Sequence, residues 1–363
     1  MKTNLDLGLC ICTYKRPRLL KLLLEDCARQ STNPSNVYII DGDSSSNDVL
    51  DMLYFQKWPN TWHVHYLKSN HGNQTYQRYL GYRLASTDGM RILLFLDDDL
   101  RIHDERSIEN MVKPFYSEEN HAVAITGNLI FPEKKSDNKE VTLDDFRKGL
   151  GSGSFFINFL GESRRYPPGS LTPSGKRVMY GEDSEHYHQV EWLRGGAIAF
   201  DMSYLSEKIL SEDIFAMNHL RMGLCEDLVI SRKMLAYGNL YVAEEGVFLH
   251  PNDDSPKAYS SKAYNFGFAS AYSRRWLNDN YRGFNKPKFS DRVSLIRQYI
   301  VSSFLSLFAA IRYLRSERFS FAFGYIAGAI MGLIRTPTAK NLTPEIDWWK
   351  DAEEALSKAI VIK

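Results

Sequence analysis

The chain has 363 residues, enough for one large α/β domain plus an appendage, and its 44% hydrophobic and 25% charged content excludes global disorder. A net charge of +1 lacks the basic excess of a phosphate-binding domain, so no nucleic-acid partner is expected. Cys10, Cys12, Cys27 and Cys225 show neither a disulfide framework nor zinc spacing, and Met1-Lys2 leads into a polar-alternating segment rather than a signal-peptide core, so the body of the chain is expected in the cytoplasm.

The first half alternates strand and helix at roughly 30-residue intervals, the rhythm of parallel βαβ units. Leu5 to Cys12 reads as a strand, and Pro17 suits the first turn of a helix running through Leu24. Strands follow at Asn36–Asp41 and His63–Lys68, then a helix from about Asn73 to Ala85. Arg91–Asp97 is a continuous apolar run of the central-strand type, and Ala122–Phe131 is a further strand. From Glu133 to about His188 the pattern breaks into turn chemistry, which predicts an insertion or loop set. Order resumes with Val190–Asp201, a helix near Glu226–Tyr237 and short strands ending at His250.

The last third changes character. Gln298–Ile311 and Phe319–Ile334 are apolar stretches, each shorter than the ~18–20 residues that span a bilayer unassisted. Between Arg282 and Arg335 basic residues far outnumber Asp291 and Glu317, a pattern that suits amphipathic helices lying on an anionic membrane surface. An ordinary hairpin packed on the domain, or on a second subunit in a homo-oligomer, is the alternative reading.

Chemistry concentrates at Phe95-Leu-Asp97-Asp98-Asp99. An apolar strand ending in three carboxylates needs neutralising charge, and alternation puts Asp97 and Asp99 on one face with Asp98 turned away. Hard oxygen donors at the carboxyl end of a parallel sheet fit Mg²⁺ or Mn²⁺ with a diphosphate; a solvated helix cap is the plain alternative. Glu226-Asp227 opens a helix, where two acids either serve the dipole or act on substrate. Trp192-Leu-Arg194-Gly195-Gly196 is either a ligand-facing turn or a tight turn beside a core tryptophan. His250 ends a strand, and a lone histidine there is structural or metal-binding.

Read in order, Leu9 to Pro17, Val37 to Asp48, Asn70 to Gly81, the acidic triplet, Glu191 to Phe200 and Cys225 to Arg232 resemble glycosyltransferase family 2 over roughly residues 5–255. The resemblance implies a GT-A fold, a Rossmann-like mixed α/β sheet with flanking helices, here followed by an amphipathic C-terminal region. Catalytic residues 1–255 would divide into a nucleotide-sugar half (1–131), an insertion (133–188) and an acceptor half (189–255), with 256–363 helical and membrane-associated. It implies Thr13, Tyr14, Arg16, Asp41, Arg78, Asp97 and Asp98 around the donor nucleotide, with Asp41 reading the base edge and Asp97 toward the ribose. Asp99 and His250 would bind Mn²⁺ or Mg²⁺, and Trp192, Arg194, Gly195 and Gly196 the acceptor. Asp227 would be the catalytic base, with Glu226 orienting it. Tyr79 departs from the family, which often has Asn there. The implied activity is inverting transfer from a UDP-type sugar to a glycan or lipid-linked acceptor, at the cytoplasmic side of a membrane. A nucleotidyltransferase would want a glycine-rich loop where Thr13-Tyr-Lys-Arg-Pro stands, and a non-catalytic adaptor would have lost the acids that are present.

Overall fold

A computed structural model describes residues 6–117, 119–131, 166–178, 187–220, 225–250, 263–314 and 316–362. Two compact units are present: residues 1–130, 184–251 and 337–363 form one, and residues 131–183 and 252–336 the other.

The first unit is built on a mixed sheet. Strands β1 (Leu7–Thr13), β2 (Asn36–Asp41), β3 (His63–Lys68) and β4 (Ile92–Asp97) are mutually parallel. They are linked by helices α1 (Pro17–Ala28), α2 (Asp48–Phe55) and α3 (Gln74–Thr87). β1 lies between β2 and β4 and is buried at every position, which is why its sequence is an unbroken apolar run. α1 starts at a proline and buries Leu20, Leu23, Leu24 and Cys27, spaced as one helical face. α3 is capped by Asn73, whose side chain accepts the Tyr76 N–H.

Beyond β4 the sheet continues with β7 (Ala197–Asp201), β5 (Ala122–Ile130), β8 (Asn239–Leu249) and β6 (Tyr187–Val190). β7 runs antiparallel to both β4 and β5. In the stretch 190–201, where order was expected to resume, β6 ends, a turn follows and β7 begins, and the expected short strands near 240–250 are one long β8 with a bulge after Ala243. Short helices α4 (Ser107–Val112), α5 (Glu212–His219) and α6 (Glu226–Met234) complete this part.

The C-terminal region departs from expectation in two ways. Residues 337–363 return to the first unit as α10 (Ala339–Leu342), α11 (Trp348–Leu356) and β9 (Ile360–Ile362), which pairs antiparallel with β3 at the sheet edge. Trp348 is buried among His71, Tyr76, Phe215 and His219, with ring centroids 4.8–5.8 Å away, and His71 Nε2 lies 2.8 Å from Asp351 Oδ2. His71 is thus part of a clasp that holds the tail. Second, the apolar stretches are longer than read: between α7 (Ala263–Asn280) and the tail stand α8 (Phe289–Tyr313, 25 residues) and α9 (Ser316–Ile334, 19 residues). By length and composition each could cross a membrane, so the argument that they are too short fails. Of the expected 133–188 insertion, Tyr166–Val178 belongs to this helical unit, with Asn278 Nδ2 donating to the Pro173 carbonyl at 2.8 Å. Most of the remainder lies outside the described residues, as does the expected closing loop Asn252–Tyr259.

The tail clasp makes a stability prediction. Trp348→Ala should cost about 3–5 kcal/mol, the usual penalty for deleting a fully buried aromatic ring, read as a lower urea midpoint.

Candidate active site

Three consecutive acids sit where β4 ends, and each has a different neighbourhood. Asp97 Oδ1 accepts from Gln74 Nε2 at 2.6 Å and from Arg78 Nη2 at 2.8 Å, both donors projecting from α3 one turn apart. Asp98 is buried; its Oδ2 accepts from the Thr13 hydroxyl at 2.7 Å and its Oδ1 from Arg16 at 3.2 Å. Arg16 also reaches Asp99 Oδ2 at 3.0 Å. Burial pushes the Asp98 carboxyl up to about 6, against the lowering effect of Thr13 and Arg16. Asp98 was expected to turn away from its neighbours. It does not, because the strand ends at Asp97 and a turn follows, so all three acids line one cavity of about 280 Å³ with Thr13, Tyr14 and Arg16.

His250 is brought to this place by the backbone. Arg101 and Leu249 exchange N–H···O bonds of 2.9 and 2.8 Å, which join the chain just after the acids to the end of β8. His250 Nε2 then lies 3.7 Å from Asp99 Oδ1. That oxygen is buried and has no hydrogen-bond partner among the described residues. A buried carboxylate oxygen left without a donor, facing an imidazole nitrogen, fits a divalent cation. Among the described residues no group of three or more His, Cys, Asp or Glu that could hold a metal ion is present.

The other carboxylates come from the first turn of α6. Asp227 Oδ2 accepts the Gly195 N–H at 3.3 Å, and the Gly196 carbonyl accepts the Asp97 N–H at 2.8 Å. Gly196 has φ +105°, a conformation suited to glycine, and a Cβ there would meet Leu129 at 3.1 Å. The Gly195–Gly196 turn therefore connects Asp227 to Asp97 directly. Glu226 is pushed up to about 8, first by burial and then by the charge of Asp227, with Arg78 working in the opposite direction. Burial and the neighbouring Asp227 charge both disfavour the ionised form of Glu226.

Residues 9–182 match the family model described as glycosyl transferase family 2. The chain carries a glycosyltransferase family 2 domain. Among solved structures, the mannosyltransferase PcManGT from Pyrobaculum calidifontis in complex with GDP-Man and Mn²⁺ is similar at 13% identity and TM-score 0.47, over 94% of this chain and 88% of that one. S. aureus TarS 1-349 in complex with UDP-GlcNAc is similar at 12% identity and TM-score 0.44, over 90% of each chain. No curated protein matches. This glycosyltransferase has the GT-A architecture expected of it, a mixed α/β sheet with flanking helices.

Several expected roles change in the structure of the glycosyltransferase. Asp41 is only 1% exposed and both its oxygens are occupied, by the Asp43 N–H at 2.9 Å and the Tyr66 hydroxyl at 3.0 Å. It shapes the loop behind the cavity instead of presenting a free edge to a base. Arg78 is buried against Asp97, so it orients that acid. Trp192 is 1% exposed and offers no stacking face, because the strand-to-turn corner it occupies is packed inside the protein. Arg194 Nη1 donates to the Leu129 carbonyl at 3.3 Å. Tyr14 is 51% exposed and lines the cavity. Two functional residues were missed. Gln74 lies one turn before Arg78 on the same face of α3, and that spacing was a usable signal. Gln77 Nε2 donates to the carbonyls of Thr13 at 3.0 Å and Ile40 at 2.7 Å, tying the ends of β1 and β2 together.

The state of Glu226 makes a pH prediction. Its folded value near 8 lies above the ~4.3 of an unfolded glutamate. The stability it contributes is therefore complete below about pH 4 and lost as pH rises through about 8. Urea midpoints of the wild type should fall across this window relative to Glu226→Gln, which keeps a neutral side chain throughout; parallel profiles would remove the shift.

Proposed function

We propose that this glycosyltransferase catalyses inverting, metal-dependent transfer of a sugar from a UDP-sugar to a glycan or lipid-linked acceptor, in surface polysaccharide or glycoconjugate synthesis at the cytoplasmic side of a membrane. The observation that carries the proposal is the Gly195–Gly196 turn, whose successive residues hydrogen-bond Asp227 on one side and Asp97 on the other. A donor bound over the acids and an acceptor bound near α6 would then meet across two glycines, where no side chain intervenes.

On this reading Asp227 takes the proton of the acceptor hydroxyl as its oxygen attacks the anomeric carbon. The bond from that carbon to the diphosphate breaks on the opposite face, so configuration inverts and the electron pair leaves with the nucleotide. Glu226, whose ionised form is disfavoured by burial and by the charge of Asp227, would orient Asp227 or the acceptor. Arg16 offsets the charge of Asp98 and Asp99, and Gln74 and Arg78 keep Asp97 turned. Asp99 and His250 would hold Mn²⁺ or Mg²⁺, which when bound neutralises charge on the leaving diphosphate. Tyr14, at the cavity, would lie against the nucleoside.

Asp227→Asn should lower turnover by roughly 10²–10⁴ while donor affinity, measured by calorimetry, stays close to wild type. Near-normal transfer would take Asp227 out of the mechanism. Asp99→Ala should abolish the Mn²⁺ dependence of UDP binding in the same calorimeter, and His250→Ala should weaken it. Equal UDP binding with and without Mn²⁺ in the wild type would end the metal assignment. Thermal stabilisation by UDP over GDP tests the nucleotide.

A further inference from the structure

Helix α8 carries a line of exposed apolar side chains on one face. Phe289, Ile296, Ile300, Phe304, Phe308 and Ile311 are all exposed, and their spacing of three, four or seven residues puts them on one side. From Phe289 to Ile311 this stripe runs about 33 Å at ~1.5 Å per residue. The opposite side is packed: Leu295 and Tyr299 are buried in the helical unit, and the Tyr299 hydroxyl donates to the Ala271 carbonyl at 3.0 Å. A stripe this long on a soluble surface marks an interaction site.

Charge identifies the partner. Exposed Lys286 and Lys288 stand at the start of the stripe, and exposed Arg312 and part-exposed Arg318 at its end. Asp291, the acid in the first turn, is turned inward onto Arg282. We propose that this face docks on an anionic lipid surface, with α8 lying in the plane of the bilayer and not crossing it. A second copy of the chain is a poorer occupant. Both ends of the stripe are basic, so parallel and antiparallel self-pairing alike would bring like charges together.

The packing of α9 argues against crossing. α9 lies so close to α7 that a Cβ on Gly324 would fall 2.0 Å from the Tyr264 carbonyl oxygen, and one on Gly328 2.3 Å from that of Phe268. Arg275 of α7 donates to the Gly332 carbonyl at 3.0 Å and to Thr336 at 3.1 Å, and pairs with Asp279 at 3.0 Å. A membrane-spanning α9 would draw these charges into the acyl region or lose its partner. As a statement of where a lipid-linked acceptor is met, the inference rests on the proposed transfer; as a statement about lipid binding it stands alone.

The test is flotation of the full chain with phosphatidylcholine vesicles, with and without phosphatidylglycerol. Wild type should bind the anionic vesicles, weaken as salt rises from about 0.1 to about 0.5 M, and be released by alkaline carbonate. Phe304→Glu with Phe308→Glu should reduce binding roughly tenfold or more, with UDP binding in the absence of lipid unchanged. If that variant misfolds, Phe304→Ser serves. Fluorophores on Phe289→Cys, Ile300→Cys and Ile311→Cys should be quenched equally by brominated lipid, as an in-plane helix requires. Deep quenching at position 300 alone, or resistance to carbonate, would show a crossing helix and overturn the proposal. So would wild type that ignores vesicles yet forms a dimer broken by the glutamates. Loss of UDP binding with vesicle binding intact would count against the transferase reading alone.

Discussion

Burying consecutive carboxylates at the end of an apolar strand forces the surrounding design. Each ion that leaves water must find a donor or give up its charge. Asp97 and Asp98 find donors: α3 gives Gln74 and Arg78 to the first, and the end of β1 gives Thr13 and Arg16 to the second. Asp99 is left with one oxygen on Arg16 and the other without a hydrogen bond, opposite His250. The positions of α3 and of the loop after β1 follow from the first two acids. The third keeps one oxygen without a hydrogen-bond partner among the described residues.

The same constraint explains why the two halves of the site sit on backbone and not on long side chains. Asp97 N–H is bonded to the Gly196 carbonyl, and Gly195 N–H to Asp227. A side chain on Gly196 would press on Leu129 at 3.1 Å and approach Asp97 Oδ2 at 3.6 Å. Glycine there keeps the space beside Leu129 and Asp97 free of a side chain. Glu226 feels Asp227, Arg78 and Asp97, so the charges of β4, α3 and α6 are one electrostatic system.

Much of the parallel half was legible because period and order in the sequence carry it. The bounds of β2 and β3 were read as they stand, and the continuous apolar run of β4 marked a central strand. The errors have physical causes. Alternation was extended past Asp97 although a strand's side-chain period lasts only as long as its ladder. Asp41 and Trp192 were given ligand roles by resemblance, and residue type alone does not reveal that Tyr66 and the Asp43 N–H already occupy Asp41, or that Trp192 is enclosed. The return of the tail was invisible because β9 is three residues long and its partner, β3, lies some 300 residues earlier in sequence. Gln74, in contrast, was available from its four-residue spacing to Arg78.

The charge of the whole chain conceals an asymmetry that bears on where such an enzyme works. Residues 282–335 hold nine basic residues and two acidic ones, so with a total of +1 the remainder of the chain is net acidic. An anionic bilayer attracts the first stretch and repels the rest. The exposed stripe of α8 lies within the basic stretch, so hydrophobic burial and electrostatic attraction act on the same helix. Neither alone would fix an orientation: apolar contact is non-directional, and exposed charge is screened within a Debye length. On the proposed docking, the two together favour one face of α8 toward lipid.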